Sequence, residues 1–345
     1  MGAACTLGLV SCKDKGAEQW NNTPPPAQKE APAEAGSQSL PVSAEQQDLL
    51  NYMVFDIGKL VGDHAGDLEW HDSVRDMRNR LEEYYNTLKA QGSDEKTRMQ
   101  LGLMLAEITR SMNAIDKALA YYNELLSAWE AQDEASRRSL EGRRTESSIA
   151  NGIGACYLLK GKASEALPYY EKALEIDTAI FNELAPEDGG PLPSGDNLTP
   201  DLARAAEDIL SSYRCLGDCQ RWADDPEEAR DTYKKGQELV KRMTNLNAAI
   251  SLQYIRLLSA QGDLENSCGE IKKAGAAWIQ AIQLAQNAFK IASSGTLRAK
   301  IRRDARKLET SIKTITPRLK EELEAAKAAE LPEVEAVPAE EASEE

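Results

Sequence analysis

The residues best suited to chemistry in this chain of 345 residues form one polar cluster, which contains its two histidines, His64 and His71. The carboxylates around them are Asp63, Asp67, Glu69 and Asp72. Imidazole and carboxylate groups are ordinary zinc ligands, so such a cluster could hold a metal ion. Two glycines lie in the same stretch, however, and they favour a solvated polar turn between two helices. We therefore expect no metal site.

Other catalytic arrangements have less support. The sequence contains no glycine-rich phosphate loop, no Gly-x-Ser-x-Gly and no His-Glu-x-x-His. With only two histidines in the chain, a catalytic Ser-His or Cys-His pair has little support. We expect a protein that is not an enzyme and has no cofactor, and a helical enzyme domain is the weaker alternative.

Four of the six cysteines fall in the body of the chain. Cys156 and Cys215 occupy comparable helix positions, and we expect them in the core because free cysteine behaves as a small hydrophobe. Cys219 and Cys268 follow the predicted ends of two helices that are each the first of a helix pair, in consecutive pairs of a repeated motif described below. If the protein is exported, neighbouring repeats could join these two in a disulfide, although sequence alone does not fix the connectivity.

The composition indicates an all-α protein that does not bind nucleic acid. The formal net charge is −16 and the isoelectric point is near 4.8, which argues against nucleic acid as the main partner. Helix-forming residues dominate and β-type alternation is nearly absent. No stretch approaches the roughly 20 apolar residues of a membrane-spanning helix.

The N-terminal segment 1–12 ends in Leu9-Val10-Ser11-Cys12, which resembles the lipobox of bacterial lipoproteins. In that family the cysteine is lipidated. Residues 13–43 are rich in Pro, Ala, Glu and Gln and cannot bury enough apolar surface to order themselves, so we expect a disordered tether. The resemblance implies a lipoprotein of the bacterial envelope that faces the periplasm, and Lys13 favours the outer membrane.

A rival interpretation exists for the same segment. A signal peptide opens with basic residues, and no Lys or Arg precedes Cys12. The stretch from Met1 to Thr6 fits the N-myristoylation pattern, with Cys5 available for palmitoylation. The alternative function is therefore a soluble or N-myristoylated cytoplasmic adaptor.

A repeated motif organises residues 44–295. In its clearest copy Gly154 and Gly161 belong to a first helix, and Ala166, Tyr170 and Ala173 form the inner face of a second. Residues at i, i+4 and i+7 share one stripe of a helix. Further copies are Leu81-Tyr85-Leu88, Ala118-Tyr122-Leu125, Ala229-Tyr233-Gly236 and Ala274-Trp278-Ala281.

This motif resembles the tetratricopeptide repeat (TPR) family. The resemblance implies a right-handed solenoid of antiparallel helix hairpins, in which Gly161, Gly217 and Gly262 end the first helices. The copies are 37, 48, 63 and 45 residues apart, against ~34 in the family. We therefore expect insertions, the largest being a surface loop over Pro186–Pro193.

TPR solenoids present a concave groove that binds protein partners, and the resemblance implies which side chains line it here. Mapped copy by copy, they are Glu107, Arg110, Asn151, Arg204, Glu207, Arg214 and Arg256. The plainer interpretation of each is a solvated helix face. The leading functional hypothesis is a lipid-anchored scaffold that binds protein partners.

Residues 296–327 form a basic helix in an acidic protein. Nine basic and two acidic side chains between Thr296 and Lys320 give a local charge of +7. An apolar stripe runs through the segment, so we expect a helix that caps the last repeat. Arg302, Arg303 and Arg306 could also form a face for an acidic partner or anionic lipid. Pro317 should kink or end this helix.

Residues 328–345 complete the chain as an acidic tail, which we expect to be disordered.

The anchor can be tested directly. Cys12→Ser should move the protein from the membrane to the soluble fraction, because it removes the acylated side chain that holds the body at the bilayer. Cell fractionation measures the change. Gly2→Ala is the matched control, since it would release the protein only if the anchor were myristoyl.

Overall fold

The computed structural model describes residues 68–92, 95–186, 190, 192–193, 197–243 and 245–330. Within these ranges, side chains are placed from residue 74 to residue 318. The predicted lipobox, the tether, His64 and residues 331–345 of the predicted acidic tail lie outside the described residues, whereas residues 328–330 of that tail belong to a helix.

Helices make up nearly all of the described regular structure. In chain order they are α1 (Leu68–Gln91), α2 (Glu95–Ser111), α3 (Ile115–Glu130), α4 (Glu134–Arg138), α5 (Leu140–Leu159), α6 (Ala163–Leu184), α7 (Pro200–Trp222), α8 (Pro226–Lys241), α9 (Ala248–Ser267), α10 (Ile271–Ile291) and α11 (Gly295–Glu330).

Four antiparallel hairpins follow one another: α2 with α3, α5 with α6, α7 with α8, and α9 with α10. We call the first helix of each hairpin its A helix and the second its B helix. Each A helix packs against the A helix of the next hairpin, and each B helix packs against that same A helix. Helix α1 precedes the stack, and α11 covers α9 and α10. The predicted all-α, TPR-like stack of hairpins with a C-terminal capping helix is confirmed.

Every hairpin has the same internal register. A small residue on the A helix is followed seven positions later by a residue of positive φ, which lies in the turn. An alanine of the B helix comes five positions after that residue, and an aromatic residue comes four positions after the alanine. The four sets are Ala106-Asn113-Ala118-Tyr122, Gly154-Gly161-Ala166-Tyr170, Gly217-Asp224-Ala229-Tyr233 and Gly262-Gly269-Ala274-Trp278. The alanines and aromatic residues are all buried, so they form the seam of each hairpin.

The turn within each hairpin is a Schellman motif. In the second hairpin Gly161 has φ +73°, its N–H donates to the Leu158 carbonyl, and the Lys162 N–H donates to the Tyr157 carbonyl. These bonds satisfy carbonyl groups that the end of the helix leaves unpaired. Asn113 and Asp224 adopt the same left-handed conformation, which Asn and Asp tolerate better than most residues.

The expectation that Gly217 and Gly262 end their helices is wrong. Both lie inside A helices, and each packs against the aromatic residue of its own hairpin. They correspond to Gly154, which packs on Tyr170 in the same way. At Gly217 and Gly262 a side chain would overlap the aromatic ring, because the two helices approach closely there.

Insertions lie between hairpins and leave the seams unchanged. The short helix α4 separates the first two hairpins. In the predicted surface loop, Leu192 is 3% exposed, and its N–H donates to the Arg242 carbonyl at 2.7 Å. This loop is therefore anchored beside the end of α8, where Leu192 joins the core with Met243. Within the predicted surface loop, Leu192 is therefore buried.

The capping helix is held by Ile301, Leu308 and Ile315, each at most 2% exposed. They are seven residues apart and so follow one stripe. Of the two outcomes predicted for Pro317, a kink or an end of the helix, the end is wrong, because α11 continues to Glu330. Proline removes a single main-chain donor there, and the Leu-, Glu- and Ala-rich segment that follows has high helix propensity.

The close approach of the seam can be tested at Gly217. Gly217→Ala should lower the free energy of unfolding by about 1–3 kcal/mol, since the new methyl group would overlap the Tyr233 ring. Gly295→Ala is the control because a methyl group there meets nothing within 4 Å. Urea denaturation followed by circular dichroism measures both. Equal stabilities of the two variants would contradict the assigned register.

Candidate functional site

Two adjoining cavities lie along the A helices. The first, about 330 Å³, is enclosed by α2, α3, α5, α6 and α7. The second, about 610 Å³, is enclosed by α2, α7, α9 and α11. Arg110 and Arg214 line both cavities, which therefore form one continuous strip that we call the groove.

Most of the predicted groove residues meet here. Glu107, Arg110, Asn151 and Arg214 line the first cavity, and Arg256 lines the second. The remaining two predicted residues lie outside both cavities. Arg204 is exposed and lies 3.8 Å from carboxylates of Glu141 and Asp208. Glu207 is half-buried on the same helix.

Carboxylates hold the groove arginines in place. The Arg110 Nε donates to Glu107 Oε2 at 3.1 Å. The Arg214 Nη1 donates to Asp218 Oδ2 at 3.0 Å, and the Arg256 Nε donates to Asp304 Oδ2 at 2.8 Å. Charge-assisted hydrogen bonds of this kind fix a guanidinium group in one orientation.

The sequence interpretation missed several groove residues. The second cavity also contains Asp218, Arg221, Asp263, Arg303 and Lys307. Asp218 and Asp263 each follow the small A-helix residue by one position, as Glu107 does. Aligning Gly217 and Gly262 with Gly154 would have revealed this pattern.

The seam tyrosines donate to two of these carboxylates. The Tyr122 hydroxyl donates to Glu107 Oε2 at 3.2 Å, and the Tyr233 hydroxyl donates to Asp218 Oδ1 at 2.8 Å. Burial, together with the neighbouring carboxylate charge, raises the pKa of both tyrosines. Both hydroxyls therefore remain protonated donors at neutral pH.

A buried polar network closes one end of the first cavity. Asp177 is 3% exposed and accepts a hydrogen bond of 2.6 Å from Ser212. The Ser212 hydroxyl in turn accepts from the Asn151 amide. Burial raises the pKa of Asp177. Arg144, 5% exposed, donates to the Asp201 side chain and carbonyl at 2.9 Å.

The basic helix does not present its three predicted arginines as one face. Arg303 lines the second cavity, where its Nε lies 3.4 Å from Asp304 Oδ1. Arg302 is exposed, and its guanidinium lies over the Phe289 ring at 5.1 Å. Arg306 is exposed. Arg303 thus belongs to the groove and the other two to the outer surface.

The four cysteines among the described residues are free thiols. Cys156 and Cys219 are buried, and Cys215 lines the first cavity. The disulfide that was possible between Cys219 and Cys268 is not present. Cys219 lies inside α7 with its thiol toward the Ala163 carbonyl, whereas Cys268 is exposed at the end of α9. The two positions are not equivalent in their hairpins.

The polar cluster around the histidines differs from the expected turn. Helix α1 begins at Leu68, so Glu69, His71 and Asp72 lie on a helix. Within residues whose side chains are placed, no group of three or more His, Cys, Asp or Glu could hold a metal ion. The same part of the chain contains no helix that is both long and apolar enough to cross a bilayer.

Comparison with known proteins gives structural matches only. No protein-family model matches the sequence, and no curated protein matches it. BtubC (BKLC) from P. vanneervenii is similar over 73% of this chain and 89% of its own, with 16% identity and a TM-score of 0.43. Yeast Tom70 aligns over 86% of this chain and 70% of its own, with 11% identity and a TM-score of 0.19. The fold assignment above therefore rests on the helix contacts.

Stability should depend on pH through Glu207. Burial, aided by the charge of Asp208, raises the pKa of Glu207 from 4.5 to about 7. The native state then binds more protons than the unfolded state, so stability falls as the pH rises from about 4.5 to about 7. Glu207→Gln should reduce this loss, and the raised pKa of Asp208 should account for part of what remains. Urea denaturation across that range measures it, with the exposed Glu171→Gln as control. Parallel profiles for native protein and Glu207→Gln would contradict the assignment.

Proposed function

We propose that this protein is a scaffold that binds an extended segment of a partner protein in the groove of its A helices. The observation that carries the proposal is the continuity of the groove, since Arg110 and Arg214 line both cavities. A continuous polar strip suits a peptide chain, which presents hydrogen-bonding groups at every residue.

The dimensions of the groove support this occupant. Along its length the groove crosses the four A helices (α2, α5, α7 and α9) and then α11, and packed helices lie roughly 8–10 Å apart. The strip is therefore about 35 Å long. An extended chain covers about 3.3 Å per residue, so roughly ten residues of a partner would fit.

The chemistry of the groove favours specific recognition of charge. Its lining includes seven basic and six acidic side chains, in a protein whose net charge is −16. Arginine is enriched where binding energy is concentrated in protein interfaces. Pairing with carboxylates holds these arginines in place before a partner binds, which lowers the entropic cost of binding.

The anchor belongs to the same proposal. Cys12 and the tether support a scaffold that is lipid-anchored in the bacterial envelope and faces the periplasm, with Lys13 favouring the outer membrane. These residues lie outside the described part of the structure, and the sequence pattern alone supports this step. A tether of about thirty residues would let the groove reach partners some distance from the bilayer.

Charge reversal in the groove tests the function. Arg221 and Lys307 line the second cavity, and within the described residues neither makes an ion pair, so their replacement disturbs little of the fold. Arg221→Glu with Lys307→Glu should reduce capture of partner proteins at least tenfold in a pull-down from the native organism.

The matched control carries the same charge change elsewhere. Lys235 and Lys272 are exposed on the B helices α8 and α10 and line neither cavity. Lys235→Glu with Lys272→Glu should leave capture unchanged. If the groove variant captures the same proteins as this control, the groove is not the binding surface.

A further inference from the structure

One hairpin lacks a carboxylate that the other three have. The residue after the small A-helix position is Glu107 in the first hairpin, Asp218 in the third and Asp263 in the fourth. In the second hairpin it is Ala155. The register is otherwise the same, because Gly154 packs on the Tyr170 ring as Gly217 packs on Tyr233.

The missing carboxylate leaves the Tyr170 hydroxyl without an acceptor among the described residues. Tyr122 and Tyr233 donate to their carboxylates, whereas no hydrogen bond of the described residues joins Tyr170 to an acceptor. The Tyr170 side chain lines the first cavity, as Ala155 does, and its hydroxyl is open to that cavity. This hydroxyl is therefore available to donate to an acceptor that enters the cavity.

We call the place of the missing carboxylate, beside Ala155 and the Tyr170 hydroxyl, the gap. Two guanidinium groups flank it. Arg110 and Arg214 line the cavity on either side, and the positive charge of each acts to lower the pKa of Tyr170 against the effect of burial. Each arginine holds a single carboxylate, Glu107 or Asp218. A guanidinium has five N–H donors, so each of the two arginines can donate to a second anionic partner.

The acidic side chains of the cavity do not oppose an anion at this point. Glu107 is neutralised by Arg110. Asp177 and Asp208 belong to the end of the cavity near Arg144, and burial raises the pKa of both. The cavity of about 330 Å³ has room for a carboxylate on a short side chain.

We propose that the gap at Ala155 is a subsite for a carboxylate of the bound segment. The carboxylate accepts a hydrogen bond from the Tyr170 hydroxyl and forms ion pairs with Arg110 and Arg214, and so occupies the place that Asp218 fills in the next hairpin. It comes from an Asp or Glu side chain or from a free C-terminus. This step rests on the proposed groove function and adds the chemistry of the partner.

Defined peptides test the subsite. The probes are three heptapeptides of glycine and serine: one with a central Glu and an amidated C-terminus, one with a central Gln and an amidated C-terminus, and one with Gln and a free C-terminus. Titration into the full-length protein with ¹³C-labelled tyrosine rings is followed by NMR, and Tyr170→Phe assigns the Tyr170 signal.

At least one carboxylate peptide should shift the Tyr170 signal and bind about tenfold more tightly than the amidated Gln peptide, as expected for a hydrogen bond to a charged group. Comparing the Glu peptide with the free C-terminus identifies the source of the carboxylate. Tyr170→Phe should keep the native melting temperature and weaken binding several-fold.

Ala155→Asp is the decisive variant. The new Asp side chain supplies the missing carboxylate from the protein itself. The variant should therefore keep or raise the melting temperature, and it should lose the preference for carboxylate peptides. An undiminished preference in Ala155→Asp, or equal binding of all three peptides to the native protein, would overturn the subsite. Neither outcome bears on the groove itself, which fails only if Arg221→Glu with Lys307→Glu captures partners as well as its control does.

Discussion

The contact between a small residue on each A helix and an aromatic ring on its B helix determines the rest of this structure. Gly217 against Tyr233 and Gly262 against Trp278 bring two helices so close that no side chain fits between them. Because this contact sets the rotation of the A helix, it also sets which residues face the groove. Asp218 lies beside the Tyr233 hydroxyl for this reason.

The same contact explains why residue spacing is constant within each hairpin and varies from one hairpin to the next. From Gly154 to Tyr170 every offset matches the third and fourth hairpins, since the Schellman turn and the seam tolerate no change in length. The connection from one hairpin to the next is not fixed in length by this contact. It accommodates α4 in one place and the loop around Leu192 in another.

The B helices were predictable from sequence and the A helices were less so. Seam residues such as Ala229 and Tyr233 recur with helical spacing, and large buried residues give a strong signal. The A helices signal through small residues, and Gly217 resembles a helix end when the true end is Asp224, which is not glycine. That error of seven residues made a Cys219–Cys268 disulfide look possible, since it placed Cys219 at a turn when it lies inside α7. The positions of Arg110 and Arg214 on their A helices do not depend on that turn, and both line the groove.

A groove whose charges are nearly balanced cannot select partners by net charge alone. Where Arg256 and Asp304 pair across helices, a partner must compete with a bond that already exists, and the gain is small. Selectivity therefore depends on the positions where pairing is incomplete. Ala155 creates such a position, because one absent carboxylate leaves Tyr170, Arg110 and Arg214 able to bind the same anion. A repeat protein can in this way encode a preference by omitting a residue from one copy of an otherwise constant pattern.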